Sequence, residues 1–166
     1  SDCYLMIRLD YLCGKLESMT EDQVFDVAIV GGGIDGAATF YKMQFRHPEL
    51  KIVLIEKEKG LADHQTGNNS GVIHSGLYYM PGSLKAENCV KGRKELVAFS
   101  KEHGVPHDVC GKVVVSADES ELPRLDKIFE IGKQNGIEGI EKINAEQIKE
   151  REPFCEGIAG IWVPVT

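Results

Sequence analysis

Residues 24–36 read Val24-Phe25-Asp26-Val27-Ala28-Ile29-Val30-Gly31-Gly32-Gly33-Ile34-Asp35-Gly36, and the change of character at Gly31 decides the fold. Val24–Val30 is short, apolar and rich in β-branched residues, as a buried parallel strand is. A helix is predicted from Ile34 to about Arg46, with Ala37, Ala38, Tyr41 and Phe45 toward the sheet, and Pro48 stops it. A second buried strand, Lys51–Glu56, reads KIVLIE. Strand, helix and strand within residues 24–56 make a βαβ unit, whose strands are parallel and whose crossover is right-handed.

Gly31, Gly33 and Gly36 form G-x-G-x-x-G between the first strand and the first helix, and Glu56 ends the second strand 20 residues after Gly36. Each position has a physical task. Gly31 allows the tight turn, Gly33 lets backbone approach a pyrophosphate, and Gly36 lets the helix pack close to the strand. The helix N-terminus offers free N–H groups and a partial positive charge to phosphates. Glu56 can accept hydrogen bonds from adenosine ribose hydroxyls and disfavours a 2′-phosphate, so NADP is not expected. Gly32 and Lys57 complete this part of the cofactor-binding set. Asp35 would repel a diphosphate if it pointed inward, so it is expected to point away. The bland alternative is a glycine-rich turn that binds nothing; the acid at the end of the second strand weighs against it.

Composition narrows the class. In 166 residues, 42% are hydrophobic and 27% charged, the balance of a soluble globular protein rather than a disordered one. Nineteen Lys and Arg against 26 Asp and Glu give a net charge of -7, which argues against nonspecific nucleic-acid binding. The five cysteines (Cys3, Cys13, Cys89, Cys110, Cys155) form no CxxC pair, so no metal site is expected. They read as reduced, mostly buried thiols, which fits a cytoplasmic protein, with peripheral contact at an inner membrane left open. No apolar run is long enough to span a membrane. Residues 1–23 form a leader without the plan of a signal or transit peptide and carry no assigned function.

Beyond Glu56, residues 57–82 look irregular, and a loop that long is usually functional. A helix is expected over Leu84–His103 and a strand over Lys112–Ala117. Asp118 and Glu121 suggest a capping box for a helix to about Asn135, ended by Gly136. Asn144 and Gln147 mark a short helix before Pro153, and Gly157–Val165 looks like further sheet. The resulting division is a leader (1–23), a nucleotide-binding part (24–104) and the start of a substrate domain (105–166).

The segment His64-Gln65-Thr66-Gly67-Asn68-Asn69-Ser70-Gly71-Val72-Ile73-His74-Ser75-Gly76, followed by Leu77-Tyr78-Tyr79-Met80-Pro81-Gly82-Ser83-Leu84-Lys85-Ala86, closely resembles the flavin-facing segment of L-2-hydroxyglutarate dehydrogenases and oxidases. These are FAD enzymes of the D-amino-acid-oxidase-like superfamily, and the similarity extends over roughly Phe25–Pro164. The resemblance implies an α/β fold: a Rossmann-like FAD-binding domain with a parallel sheet, plus the beginning of a mixed-sheet substrate domain. It implies that Gln65–Gly71 passes the pyrophosphate toward the isoalloxazine, with Gln65, Thr66, Asn69, Ser70 and Gly71 as flavin contacts. It also implies oxidation of a 2-hydroxy acid, L-2-hydroxyglutarate to 2-oxoglutarate, by hydride transfer to flavin. His74 is the candidate base for the hydroxyl proton, since histidine titrates near neutrality; ordering of the loop is the competing role. Lys85 is a candidate for a substrate carboxylate, set against an ordinary solvated residue.

Members of that family are more than twice as long, and what is present resembles their N-terminal part. The chain reads as a portion of a longer enzyme, expected to have little activity alone and able to associate with itself through unpaired strand edges. The electron acceptor, oxygen or a membrane quinone, is left open. Alternatives are a glycerol-3-phosphate or amino-acid oxidoreductase of the same superfamily, a non-enzymatic dinucleotide-binding module, or an NAD enzyme.

Overall fold

The structure, a computed structural model, describes the backbone of residues 4–8 and all of residues 24–166. The rest of the leader, with Cys3 and Cys13, lies outside the described residues. Two compact units are present, residues 1–71 and 72–166.

The first unit is built on a parallel three-stranded sheet of order β1-β3-β2: β1 (Tyr4–Arg8), β2 (Val27–Val30) and β3 (Ile52–Glu56). β3 is central. Ile52 pairs with Tyr4 on one side and Val27 on the other, and Ile55 with Ile7 and Val30. A strand hydrogen-bonded on both edges is the most protected position in a sheet, which is why Ile52, Val53 and Leu54 are buried and KIVLIE has no polar alternation. Residues 4–8, read from sequence as leader, thus add a strand to the sheet.

Helix α1 (Ile34–Arg46) joins β2 to β3. Its expected inward face is corrected. Phe45 is 78% and Tyr41 41% exposed, whereas Ala37, Phe40, Met43 and Gln44 are the half-buried positions. Of the expected face only Ala37 is half-buried and Ala38 is exposed; Phe40, Met43 and Gln44, four, seven and eight residues after Gly36, complete the less exposed stripe.

The second unit holds an antiparallel sheet of order β4-β6-β5: β4 (Lys112–Ser116), β5 (Glu141–Asn144) and β6 (Ala159–Val163). Alternation along β6 sends Ile161 and Val163 to one face, into a core with Leu77, Leu125 and Ile137. Gly160 faces the other side, where Ile148 of the short helix α4 (Ala145–Arg151) packs: a Cβ at Gly160 would lie 3.2 Å from the Ile148 side chain. Asn144 and Gln147 close a true capping box on α4.

Helix α3 (Leu122–Gln134) starts later than the expected Asp118 cap. The Asp118 carboxylate accepts the Ser120 N–H and hydroxyl instead, which folds residues 119–121 into a 3-10 turn. Glu121 reaches back to the Ala117 N–H at 2.8 Å.

Helix α2 (Leu84–Glu102), grouped with the nucleotide-binding part in the sequence reading, belongs to the second unit. Its buried Arg93 donates to the Val165 carbonyl at 3.2 Å and to Glu138 at 2.7 Å. Cys89, Cys110 and Cys155 are free thiols, two half-buried and one exposed, less enclosed than the sequence suggested.

Candidate functional site

The glycine turn opens onto a cleft of about 760 Å³ in the first unit. Gly31 continues the parallel pairing, donating to the Ile55 carbonyl at 2.8 Å, and then turns with φ +103, a conformation that a residue with a side chain resists. Gly36 shows why a helix can start so close to the strand: a Cβ there would lie 1.8 Å from the Gly31 carbonyl oxygen. Gly31, Gly33 and Gly36 all line the cleft.

Helix α1 begins with no side-chain cap from Gly33. Its first N–H, that of Ile34, is taken by the Thr66 hydroxyl at 3.0 Å, and that of Ala37 by the Gly33 carbonyl at 2.9 Å. Among the described residues the N–H groups of Asp35 and Gly36 have no partner. Two unpartnered donors at the positive end of a 13-residue helix, beside an open cleft, suit a diphosphate. Asp35, expected to point away, is among the residues lining that cleft.

Glu56 is buried beneath the turn. One carboxylate oxygen accepts the Gly32 N–H at 2.5 Å, and the other accepts those of Lys57 at 2.7 Å and Glu58 at 2.9 Å. These bonds, that from Glu58 foremost and then that from Gly32, hold its carboxyl below the usual carboxylate range against the opposing effect of burial. A carboxylate has about four acceptor positions, so about one remains for a ribose hydroxyl. Glu56 and Lys57 both line the cleft. Gly32 shapes the turn from within: it is buried, gives its N–H to Glu56 and takes the Ala62 N–H on its carbonyl at 3.0 Å.

The loop after β3 folds back over this corner. Gln65, Thr66 and Asn69 reach the cleft wall, together with Ala62, Asp63 and His64. Asn69 organises the loop itself, donating to the Gln65 and Thr66 carbonyls and accepting the Gly71 N–H at 2.6 Å. Ser70 and Gly71 follow the last lining residue. Sequence reasoning missed Ala62, whose φ of +64 allows its bond to Gly32, because nothing in an alanine announces a left-handed turn.

His74 belongs to the second unit, where it is exposed. Its carbonyl accepts the Cys89 thiol at 3.2 Å. Two and five residues on, the Gly76 and Tyr79 carbonyls both accept from the Asn135 side-chain amide, at 2.9 and 2.8 Å. The Tyr78-Tyr79 turn is thereby tied to the C-terminal end of α3. Among the described residues no helix is long and apolar enough to cross a membrane, and no group of three or more His, Cys, Asp or Glu is placed to hold a metal ion.

Comparison with known proteins is consistent across three levels. The chain is 52% identical over 142 residues to an L-2-hydroxyglutarate dehydrogenase of Indibacter alkaliphilus, covering 86% of this chain and 36% of that protein. It is 48% identical over 155 residues to the mitochondrial L-2-hydroxyglutarate dehydrogenase of Homo sapiens, covering 93% of this chain and 33% of that protein. The chain therefore spans about a third of the length of the curated relatives it matches. Among solved structures, a dithionite-reduced L-alpha-glycerophosphate oxidase from Mycoplasma pneumoniae with FAD bound superposes with a TM-score of 0.73 at 29% identity, over 84% of this chain and 37% of that one. The sequence model of the FAD dependent oxidoreductase family, DAO, matches residues 26–166, and the chain belongs to that family.

Proposed function

We propose that the complete protein oxidises a 2-hydroxy acid, L-2-hydroxyglutarate to 2-oxoglutarate, using FAD. The observation that carries the cofactor half of this reading is the open glycine corner: unpartnered Asp35 and Gly36 N–H groups facing a cleft with Glu56 and Lys57 on its wall. Two curated relatives at 48–52% identity bear the name of that dehydrogenase, which carries the substrate half.

When bound, FAD supplies the acceptor for the hydride leaving the hydroxyl-bearing carbon. Gly31, Gly33 and Gly36 give the diphosphate room, and the first turn of α1 supplies donors to it. Glu56 accepts a ribose hydroxyl, and its negative charge excludes a 2′-phosphate. Gln65, Thr66, Asn69, Ser70 and Gly71 would hold the cofactor beyond that corner, with Gly32 setting the turn from beneath. His74 takes the substrate hydroxyl proton as general base. Oxygen or a quinone would serve as electron acceptor, and the second would bring a cytoplasmic protein to the periphery of an inner membrane.

Anaerobic mixing of the flavin-loaded complete protein with a panel of 2-hydroxy acids, glycerol 3-phosphate and amino acids tests this reading. L-2-Hydroxyglutarate is expected to bleach the flavin absorbance fastest. Bleaching by glycerol 3-phosphate or an amino acid alone would replace the substrate assignment.

A further inference from the structure

The second unit gathers positive charge around two consecutive tyrosines. Lys112 Nζ, on β4, lies 5.1 Å from the centre of the Tyr78 ring, and Lys85 Nζ, on α2, lies 4.5 Å from the centre of the Tyr79 ring. Lys85, Cys89 and Arg93 follow at four-residue spacing and so form one stripe of α2. The charges of Arg93, Lys112 and Lys85 all act on the Cys89 thiol, which places Lys112 beside that stripe. Arg93 is occupied by Val165 and Glu138. Lys112 and Lys85 are not: among the described residues each has an aromatic face and no carboxylate for a partner.

Lys112 is the telling member. It is half-buried, and burial pushes its ammonium below the usual lysine range. A cation partly withdrawn from water without an anion is costly, and ring faces repay only part of that cost. Such groups are characteristic of places where a ligand supplies the missing charge. The cluster is tied to His74 directly, since Cys89, which feels both lysines, donates its thiol hydrogen to the His74 carbonyl.

We infer that Lys112 and Lys85, held over Tyr78 and Tyr79, form a carboxylate-binding site that receives the distal carboxylate of a dicarboxylic substrate. This assignment rests on the proposed hydroxyglutarate activity. It gives that activity a source of selectivity: a 2-hydroxy acid with a methyl group in place of the second carboxylate would leave Lys112 unpaired. The Tyr78 and Tyr79 rings would flank the carbon chain between the two ends.

The test uses the flavin-loaded complete protein with K112Q, K85Q and K112R. For L-2-hydroxyglutarate relative to L-2-hydroxyvalerate, kcat/KM is expected to fall about 10- to 100-fold in K112Q, less in K85Q, and to recover in K112R. A second measurement needs no turnover: unreactive glutarate is expected to protect Lys112 and Lys85 from amine acylation, read by mass spectrometry. Unchanged selectivity in both glutamine variants, or glutarate giving no protection while hydroxyglutarate is still oxidised, would overturn the site and leave the activity standing. Protection by glutarate in a protein that oxidises no 2-hydroxy acid would retain the site and remove the activity. Stronger protection by a phosphomonoester than by glutarate would also overturn the assignment, since the anion would then be a phosphate.

Discussion

Glu56 and Gly32 are joined by a 2.5 Å hydrogen bond from the glycine N–H to a buried carboxylate oxygen, so the acid that ends β3 also fastens the turn that ends β2. A Cβ at Gly32 would come within 2.8 Å of that same oxygen. The residue proposed to meet the ribose is therefore also the residue that fastens the glycine turn. Substituting Glu56→Gln puts an amide donor against backbone donors, from Gly32 on one side or Lys57 and Glu58 on the other. Both flavin affinity and thermal stability are expected to drop, as read by fluorescence titration and calorimetry. The depressed carboxyl also fixes a pH dependence. Its stabilising contribution is complete above the ordinary glutamate range and is lost as pH falls through the lowered folded value, so E56Q should flatten the acid limb of the stability curve.

Gly36→Ala tests the close approach of α1 to β2. With backbone oxygen 1.8 Å from the new Cβ, the helix must shift, at a cost of about 3 kcal/mol, and flavin retention should be lost with it. Gly92→Ala is the opposing control. Gly92 lies inside α2 with open space around it, so alanine should stabilise by about 0.5–1 kcal/mol through helix propensity alone. Chemical denaturation of both variants checks the contrast.

Thr66→Val removes the hydroxyl that receives the Ile34 N–H while keeping side-chain volume. A loss of about 1 kcal/mol is expected, as for a helix cap, with weaker flavin binding; Thr66→Ser should retain both. Denaturation midpoints and flavin titration would show it.

Asn135→Ala leaves the Gly76 and Tyr79 carbonyls without their shared donor. The variant should lose about 1–3 kcal/mol, and hydrogen exchange should quicken across residues 74–80. If exchange there is unchanged, the amide does not hold the tyrosine turn.

Glu138 lies between Lys94 at 2.5 Å and Arg93 at 2.7 Å, and these hydrogen bonds, Lys94 first, lower its carboxyl to about 2. Its contribution to stability is present above the normal glutamate pKa and disappears as pH falls from there toward about 2. Because Glu138 is half exposed, solvent screening holds that contribution to about 1 kcal/mol or less. Thermal melts of E138Q and the parent should differ at neutral pH and converge in acid.

The glycine turn between β2 and α1 was legible because its signals are local. Gly31, Gly33 and Gly36 have no side chain that could serve another purpose, and a periodic helix starts beside them, so Ile34–Arg46 emerges with its observed ends. Lys51–Glu56 was legible because a strand paired on both edges must be apolar throughout. Residues 4–8 were not, since a strand's partner is a non-local fact: nothing in Tyr4–Arg8 names Ile52–Glu56. Glu141–Asn144 escaped for a different reason. It has one buried residue, Ile143, in a polar run that gains strand geometry only from β6 beside it. At the site, Lys112 was hidden because lysine on a strand reads as an edge residue facing water, and its partial burial over Tyr78 appears only in three dimensions.

An experimental structure of the FAD complex of the complete protein would locate the diphosphate. Its oxygens are expected within hydrogen-bonding distance of the Asp35 and Gly36 N–H groups, with the adenosine ribose on Glu56. A flavin whose diphosphate lies away from that helix end, with the Gly31–Gly36 corner filled by the protein's own side chains, would contradict that placement.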